Sequence, residues 1–360
     1  MPATLPRLPG LLLLALGVCQ GQEAPPEPVT FHAQTRLVLL SFHVTHGKNY
    51  ATDLKPADVV LLEDGKPREF TIFDSPATLG RMPLELVILF DTNPRIEYFW
   101  DPVAVFRFVP QWDDGMSKAI LQTESADVRI SVYHCSGQTL FRLNPATTDP
   151  GKVSSAFHRI LTPEFAAQGP YNQAIPLSLP ARRDHVAPGP FTNDYVTSPF
   201  ISAESRGWPM EAAIGALNEV AAAADKVARM LVMFSEGIGA TTTIPEDVGN
   251  QALDLGIPIY PIATNYENHI QSNFPRNLFR MRQFEALGKM TGGLSVEHTS
   301  IDAATLRKIL ESVRNHGLSQ YVVGFAPASG GATAKEHRLE IKLASKSSGA
   351  LEGGKRRATY

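Results

Sequence analysis

The spacing of hydrophobic residues changes along the chain. They alternate with polar residues near both ends and form continuous runs in between. Leu84–Phe90 is an almost unbroken apolar run that ends at Asp91, and Val227–Phe234 is a second run that leads into Glu236. Runs of this kind are typical of parallel strands that are buried on both faces. Segments with helical periodicity alternate with such runs between residues 84 and 316. This alternation predicts an α/β fold with a doubly wound, mostly parallel sheet and helices on both faces.

Shorter alternating patterns flank this region on both sides. The predicted strands are Arg36–Val44, Val59–Leu62, Glu69–Phe73, Gln320–Phe325 and His337–Leu343. Residues 29–75 alone are too few for a stable core, because small domains bury only a modest share of their surface. We therefore expect the N- and C-terminal strands to form one small antiparallel β subdomain. Residues 346–360 are mostly polar and are expected to form a flexible tail.

The first 21 residues have the features of a secretory signal peptide. Arg7 provides a positive charge, and Leu11–Val18 is apolar but too short to span a bilayer. Small residues precede a predicted cleavage position after Gly21, and Cys19 leaves a lipoprotein as the alternative. We expect the mature chain to be exported to the periplasm, the cell surface or the medium. No run of about 18 apolar residues predicts a transmembrane segment.

Composition and charge narrow the classes of function. The chain has 360 residues, of which 43% are hydrophobic and 19% charged, and this is enough material for a packed core. The formal net charge of -3 argues against a nucleic-acid-binding protein, which would carry a basic surface. Cys135 is the only cysteine outside the predicted leader, which excludes an internal disulfide in the mature chain. It lies in an alternating strand pattern and is predicted to be a buried, unreactive thiol.

Motifs of several common enzyme classes are missing. The sequence has no phosphate-binding loop, no nucleophile elbow and no zinc-protease helix. The glycines that follow Glu236 have the context of a connecting loop rather than that of a dinucleotide site. His43 and His46 would lie on opposite faces of a strand, so we expect surface residues rather than a pair of metal ligands.

Acidic residues follow the two buried strands, at the sheet edge where open α/β folds place their ligands. Asp91 ends the first run, and Glu236 follows the second. Two carboxylates at neighbouring strand ends could share a hard divalent cation through oxygen ligands. Alternatively, each carboxylate accepts hydrogen bonds from loop backbone. The residue types alone leave both interpretations open.

Five segments, taken in their order and spacing, carry a family resemblance. They are Asp53–Pro67, Leu84–Arg95, Thr148–Pro150, Thr291–Gly293 and Gln320–Phe325. Together they resemble the von Willebrand factor type A (VWA) family, most closely its secreted bacterial members of acidobacterial type. The resemblance covers most of residues 35–343. It implies a doubly wound sheet with a metal-ion-dependent adhesion site on top.

The family's adhesion site uses an Asp-x-Ser-x-Ser motif, a Thr from a second loop and an Asp from a third. Asp91 matches the first position, whereas Asn93 and Arg95 replace the two serines. Trp208 falls at the Thr position, and Glu236 replaces the third-loop Asp. The resemblance therefore implies a degenerate site, in which three residues keep oxygen ligands for Mg²⁺ or Ca²⁺ but Arg95 cannot ligate a cation. We expect no bound metal. Arg95 then either bridges the two acids in its place, or points to solvent while the sheet holds the acids apart.

The resemblance implies a secreted, non-enzymatic binding module that contacts a protein or other surface ligand through the loops of Asp91, Trp208 and Glu236. One alternative is an extracytoplasmic α/β hydrolase, for which no nucleophile–base pair is recognisable; the other is a structural envelope protein.

The predicted layout is a signal peptide (1–21), a linker with an N-terminal β module (22–80), a VWA-like domain (81–317) with a loop insertion (163–207), C-terminal strands (318–345) and a tail (346–360).

Overall fold

The structure, a computed structural model, describes residues 37–92, 128–136, 139–160, 173–176, 209–223, 227–235, 245–264, 275–298, 303–327, 335–345 and 349–360. Its strands are β1 (Val38–His46), β2 (Asn49–Tyr50), β3 (Val59–Glu63), β4 (Lys66–Arg68), β5 (Ile72–Asp74), β6 (Leu84–Thr92), β7 (Val128–Ser136), β8 (Thr139–Thr147), β9 (Gln173–Pro176), β10 (Ala228–Ser235), β11 (Ile259–Thr264), β12 (Val296–His298), β13 (Tyr321–Phe325), β14 (Glu336–Leu343), β15 (Ala350–Gly353) and β16 (Lys355–Thr359). Its helices are α1 (Pro76–Leu79), α2 (Pro150–Ile160), α3 (Pro209–Ala221), α4 (Pro245–Leu255), α5 (Pro275–Thr291) and α6 (Ala303–Leu318).

Strands β6 to β12 form one mixed sheet. Its order is β12-β11-β10-β6-β7-β8-β9, so β6 is the middle strand of those described. Strands β12, β11, β10, β6 and β7 run parallel, whereas β8 and β9 are antiparallel at one edge. The predicted mixed α/β fold with a mostly parallel sheet is confirmed. No helix in the described ranges has both the length and the hydropathy needed to cross a bilayer.

One strand lies inside the segment that was predicted to be a loop insertion, residues 163–207. Strand β9 pairs with β8 in antiparallel register and extends the sheet edge. The loop prediction is therefore wrong for these four residues, because a strand this short has too few positions to show a period. The rest of the insertion, and the helical material predicted for residues 102–122, lie outside the described residues.

Both faces of β6 are buried. Its even-numbered residues share a hydrophobic core with α2 and α6, whereas Val87 and Leu89 share a second core with α3, α4 and α5. This two-sided burial explains why β6 reads as an almost unbroken apolar run.

Glu85 is the polar exception within β6. Its carboxylate is buried, accepts a hydrogen bond of 2.7 Å from the Ser131 hydroxyl and pairs with Arg229 Nε at 3.0 Å. Because the three residues lie on β6, β7 and β10, this network ties the three central strands together at their amino ends.

The remaining strands form two antiparallel sheets, here called the sandwich. One sheet has the order β15-β1-β13-β5, with β2 paired to β1, and the other has the order β16-β14-β3-β4. Val38 of β1 lies opposite Phe325 of β13, and Leu61 of β3 lies opposite Ile341 of β14. Their apolar side chains fill a third core. The prediction that N- and C-terminal strands form one antiparallel subdomain is confirmed.

The prediction of a flexible tail over residues 346–360 is wrong where the structure has β15 and β16. Within β16, Arg356 and Ala358 are buried while Lys355 and Arg357 are exposed. Three consecutive basic residues concealed this alternation, because the inward-facing residue at position 356 is itself charged.

The sandwich packs against the amino edge of the parallel sheet. Helices α4, α5 and α6 each start after a strand has ended and return towards that edge, so their C-terminal ends meet β1. The contacts are Leu39 with Gly256, Ser41 with Gly292 and His43 with His316. We call this contact region the junction. It lies at the opposite edge of the sheet from the end of β6.

Candidate functional site

The carboxyl edge of the parallel sheet brings the ends of β6, β7 and β10 to one level. Asp91 of β6 lies opposite Cys135 of β7 in the parallel register. Phe90, one residue earlier, lies opposite Phe234 of β10, and Ser235 ends that strand. Asp91 therefore occupies the centre of the edge at which sheets of this type bind their ligands.

Three aromatic rings lie beneath this edge. Phe90 and Phe234 stack with their ring centroids 4.8 Å apart and their planes 11° apart, and Phe157 of α2 meets Phe90 edge-on at 5.8 Å. All three are buried. Aromatic pairs in these geometries add to the stability gained from burial, so the strand ends rest on a well-packed aromatic cluster.

His134 and Cys135 are buried on opposite sides of the sheet. The His134 ring lies 6.2 Å from that of Phe141, which packs against the core of α2 and α6, whereas Cys135 belongs to the core of α3, α4 and α5. Burial lowers the pKa of His134 to about 4, so the imidazole is neutral at pH 7. The two residues therefore occupy separate layers, and the burial predicted for Cys135 is confirmed.

Of the predicted site residues, the structure describes Asp91 itself and, for the other four, only nearby positions in the chain. Asp91 is the penultimate residue of β6. Asn93, Arg95, Trp208 and Glu236 lie outside the described residues, and their roles stay predictions. Their described neighbours are Thr92 at the end of β6, Pro209 at the start of α3 and Ser235 at the end of β10. The three predicted loops therefore leave or enter elements at one edge of the sheet.

Glu211 is a buried acid that the sequence analysis missed. It lies in the first turn of α3 and is only 3% exposed. A carboxylate there interacts favourably with the positive end of the helix dipole. Because α3 leads into the amino end of β10, its first turn lies on the side of the carboxyl edge. The signal in the sequence was an acid two residues after a proline that starts a helix.

The described strand ends contain only part of the predicted ligand set at this edge. Mg²⁺ and Ca²⁺ are bound through several oxygen ligands, but the neighbour of Asp91 on β7 is the thiol of Cys135. The other predicted oxygen ligands, Asn93 and Glu236, lie outside the described residues, as does Arg95, whose positive charge cannot ligate a cation. Within the described ranges, no three His, Cys, Asp or Glu side chains are grouped to hold a metal ion.

His43 and His316 were also missed, and the expectation that His43 is a surface residue is wrong. Both imidazoles are 2% exposed at the junction. The outward-facing side of β1 is covered by the ends of three helices, and a strand pattern alone does not reveal such a cover. The burial of His43 is therefore a consequence of how the two parts of the chain pack together.

Comparisons with known proteins give no family assignment. No protein-family model matches the chain, and no curated protein matches it. Similar solved structures include proximal thread matrix protein 1 of the mussel byssus, with 11% identity, a TM-score of 0.36 and coverage of 68% of this chain and 47% of that one.

Two microbial structures are also similar to the chain. The ArnB paralog VWA2 from Sulfolobus acidocaldarius has 10% identity and a TM-score of 0.33, with 90% of this chain and 75% of that chain covered. The pilus adhesin SpaC from Lactobacillus rhamnosus GG has 7% identity and a TM-score of 0.41, with 90% and 47% covered. The chain thus spans about half the length of the mussel and Lactobacillus proteins. At these identities and TM-scores the neighbours carry no information on what this chain binds.

Proposed function

We propose that residues 81–317 form a VWA-like binding module of an exported, non-enzymatic protein, and that its ligand is another protein. The observation that carries this proposal is the position of Asp91. It is the penultimate residue of the middle strand of the sheet, with the ends of β7 and β10 on either side. Polar residues at this position are the ones that a ligand meets in an open α/β sheet.

The arrangement of the junction supports the same edge as the contact surface. The sandwich packs against the helix ends at the amino edge, through Leu39, Ser41 and His43 of β1. A partner would then dock on the loops that follow β6 and β10 and precede α3. The packed aromatic cluster under these strand ends favours a preorganised surface, which lowers the entropic cost of binding.

We propose that binding at this edge does not need a metal ion. Arg95 supplies a guanidinium with a planar set of donors that suits carboxylates, and it stands where the family has an oxygen ligand. Trp208 supplies an aromatic side chain of the type that dominates binding energy at protein interfaces. An acidic or amide-rich loop of the partner protein would suit this combination.

A crosslinking experiment tests the proposed surface. A photoreactive amino acid is placed at Asn93 and, as the control, at Arg357 on the exposed side of β16. The purified variants are irradiated with the surface and secreted proteins of the producing cells. We expect a specific crosslinked protein from position 93 and none from position 357. The purified partner should then bind Asp91→Ala at least about tenfold more weakly than wild type, which corresponds to about 1.4 kcal/mol.

Two results would overturn the proposal. Crosslinking that is equal at both positions would show that the carboxyl edge is not the contact surface. Turnover of any substrate in a broad hydrolase panel, abolished by Asp91→Ala, would show that the protein is an enzyme. Export is tested separately by mass spectrometry of the protein recovered outside the cytoplasm. The measured mass should correspond to a chain that begins at Gln22.

A further inference from the structure

Two histidine rings lie in contact at the junction, at a tilted angle. The rings of His43 in β1 and His316 in α6 have centroids 3.8 Å apart and planes inclined by 34°. His43 Nε2 lies 2.9 Å from the carbonyl oxygen of His316, and the Tyr260 hydroxyl lies 3.0 Å from His316 Nδ1. All three side chains are at most 2% exposed. The pair therefore joins the sandwich, the last helix and the parallel sheet in one buried cluster.

The hydrogen bonds define which protonation state fits this cluster. A carbonyl oxygen only accepts, so Nε2 of His43 must donate, and a second proton on that ring would have to sit on Nδ1. A proton added to either ring would put a full charge into a site closed to water. If both rings were charged, two cations would lie 3.8 Å apart. The closed junction therefore holds both imidazoles neutral.

Two tyrosine rings lie close to the histidine pair, and one acid lies opposite His43 in the strand register. Tyr50 of β2 faces both rings, at 5.7 Å from His43 and 5.6 Å from His316, and Tyr260 faces His316 from β11. The acid nearest in strand register is Glu352 of β15, opposite His43. Burial lowers the pKa of His43 to about 4, and burial together with His43 lowers that of His316 to about 3.

The position of the cluster links protonation of the histidines to the contact between α6 and β1. His316 lies two residues before the end of α6, and the chain enters β13 of the sandwich at Tyr321. Separating His43 from His316 would therefore release the last helix of the α/β domain from the strand on which it rests. We propose that the His43–His316 pair is an acid-operated latch, which opens the junction in mildly acidic surroundings before the cores on either side unfold.

The size of the change in the opening equilibrium follows from the difference in proton binding between the opened and closed forms. An opened junction exposes each imidazole to water, where its ordinary pKa is about 6.5. The opened form binds more protons than the closed one, so acid favours it. Between pH 7.5 and pH 5, the opening equilibrium should rise by about 30-fold if one imidazole is released and by several hundred-fold if both are.

Hydrogen exchange measured by mass spectrometry at pH 7.5 and pH 5 tests the latch, after correction for the intrinsic exchange rates. In the wild type, peptides covering β1 and residues 316–325 should exchange at least about 30-fold faster at pH 5, while β6 and β7 stay protected. The double variant His43→Gln with His316→Gln keeps donors and acceptors but cannot titrate, so its junction should show no acid response. His134→Gln removes a buried histidine away from the junction and should leave the wild-type response intact.

Several results would overturn the latch. One is a parallel rise in exchange in β6, β7 and the junction, because that is global acid unfolding. Another is an acid response that persists in the double variant. If the double variant does not fold, an NMR titration of the wild-type histidines decides the question: resonances of His43 and His316 that titrate below pH 5 in the closed state support the latch, and titration near 6.5 overturns it.

Discussion

Arg356 in β16 and Asp254 in α4 form an ion pair that joins the sandwich to the α/β domain. The Arg356 side chain is 5% exposed, and its Nη1 also donates a hydrogen bond of 2.9 Å to the Leu39 carbonyl. Loss of the carboxylate would leave the buried cation with fewer acceptors. We expect Asp254→Ala to lower the free energy of unfolding by about 2 kcal/mol, and Arg356→Met, which removes the charge itself, by about 1 kcal/mol.

The neighbouring arginine provides the control for this pair. Arg357 pairs with Glu336 at 3.3 Å, but both side chains are more than half exposed. Exposed pairs contribute less than about 1 kcal/mol, so Arg357→Met should change stability little. Urea denaturation of the three variants measures the difference. Equal losses for Arg356→Met and Arg357→Met would contradict a structural role for the buried pair.

Glu285 predicts a pH dependence of the opposite sign to that of the junction histidines. Burial, and then the neighbouring charge of Glu297, raise the pKa of the Glu285 carboxyl to about 7, against the attraction of Arg282. The fold therefore favours the neutral acid, and its contribution to stability is present at pH 4 and lost as the pH rises from about 4.5 to 7. Glu285→Gln should stabilise the protein by about 1 kcal/mol at pH 8, a figure reduced for solvent screening at this partly exposed site.

Denaturation curves at pH 4 and pH 8 check the Glu285 prediction. The variant and the wild type should be equally stable at pH 4, where both carry a neutral side chain. Glu297→Gln should give a smaller gain at pH 8, because it removes the second cause of the shift and leaves the first. A gain of the same size at both pH values would mean that packing rather than charge is responsible.

Gly293, just after α5, is expected to tolerate no side chain. A Cβ at this position would meet the carbonyl oxygen of Ile259. That backbone cannot retreat easily, because its amide donates a hydrogen bond of 2.8 Å to the Thr291 hydroxyl. Gly293→Ala should cost about 3 kcal/mol or more of unfolding free energy. Gly47 has a φ of 65° in open space, so Gly47→Ala should cost only about 1 kcal/mol; similar melting temperatures for the two variants would refute the close approach.

The sequence predicts that the Arg95 guanidinium takes the place of a bound metal ion. Without metal, Asp91 and Glu236 would repel each other unless a guanidinium lies between them. We expect Arg95→Ser to destabilise the protein in EDTA by up to about 3 kcal/mol, and Mg²⁺ or Ca²⁺ to restore part of the loss, because serine returns an oxygen ligand. Asn93→Ser, which keeps the arginine, should gain no metal response. Tight binding of either cation by the wild type would end this account.

The sequence was most informative where one environment surrounds a whole element. Strand β6 is buried on both faces, so every position reports the same apolar surroundings and the strand could be recognised from its own residues. The same holds for the alternate positions of β1 and β13 that face one shared core. Local pattern and final environment agree at these positions, and the prediction of the strands succeeded for that reason.

Contacts between individual side chains from distant parts of the chain were not predictable. Arg356 is buried because Asp254 and the Leu39 carbonyl accept its hydrogen bonds, and these residues are far from it in sequence. His43 is buried because the end of α6 covers it. A charged or polar residue that is buried by a partner elsewhere has the same local sequence pattern as a surface residue. The candidate site was limited in a different way, since four of its five predicted residues lie outside the described ranges.

The pairing of β1 with β13 has a consequence for the order of events during protein synthesis. Val38 lies opposite Phe325, so the first strand of the sandwich has no partner on that side until the whole α/β domain has been translated. The middle of the chain can therefore fold before its beginning does, because the contacts of β6 with β7 are closer in sequence. During that interval β1 and β3 are exposed apolar strands. Chaperones or rapid translation would then have to prevent their aggregation.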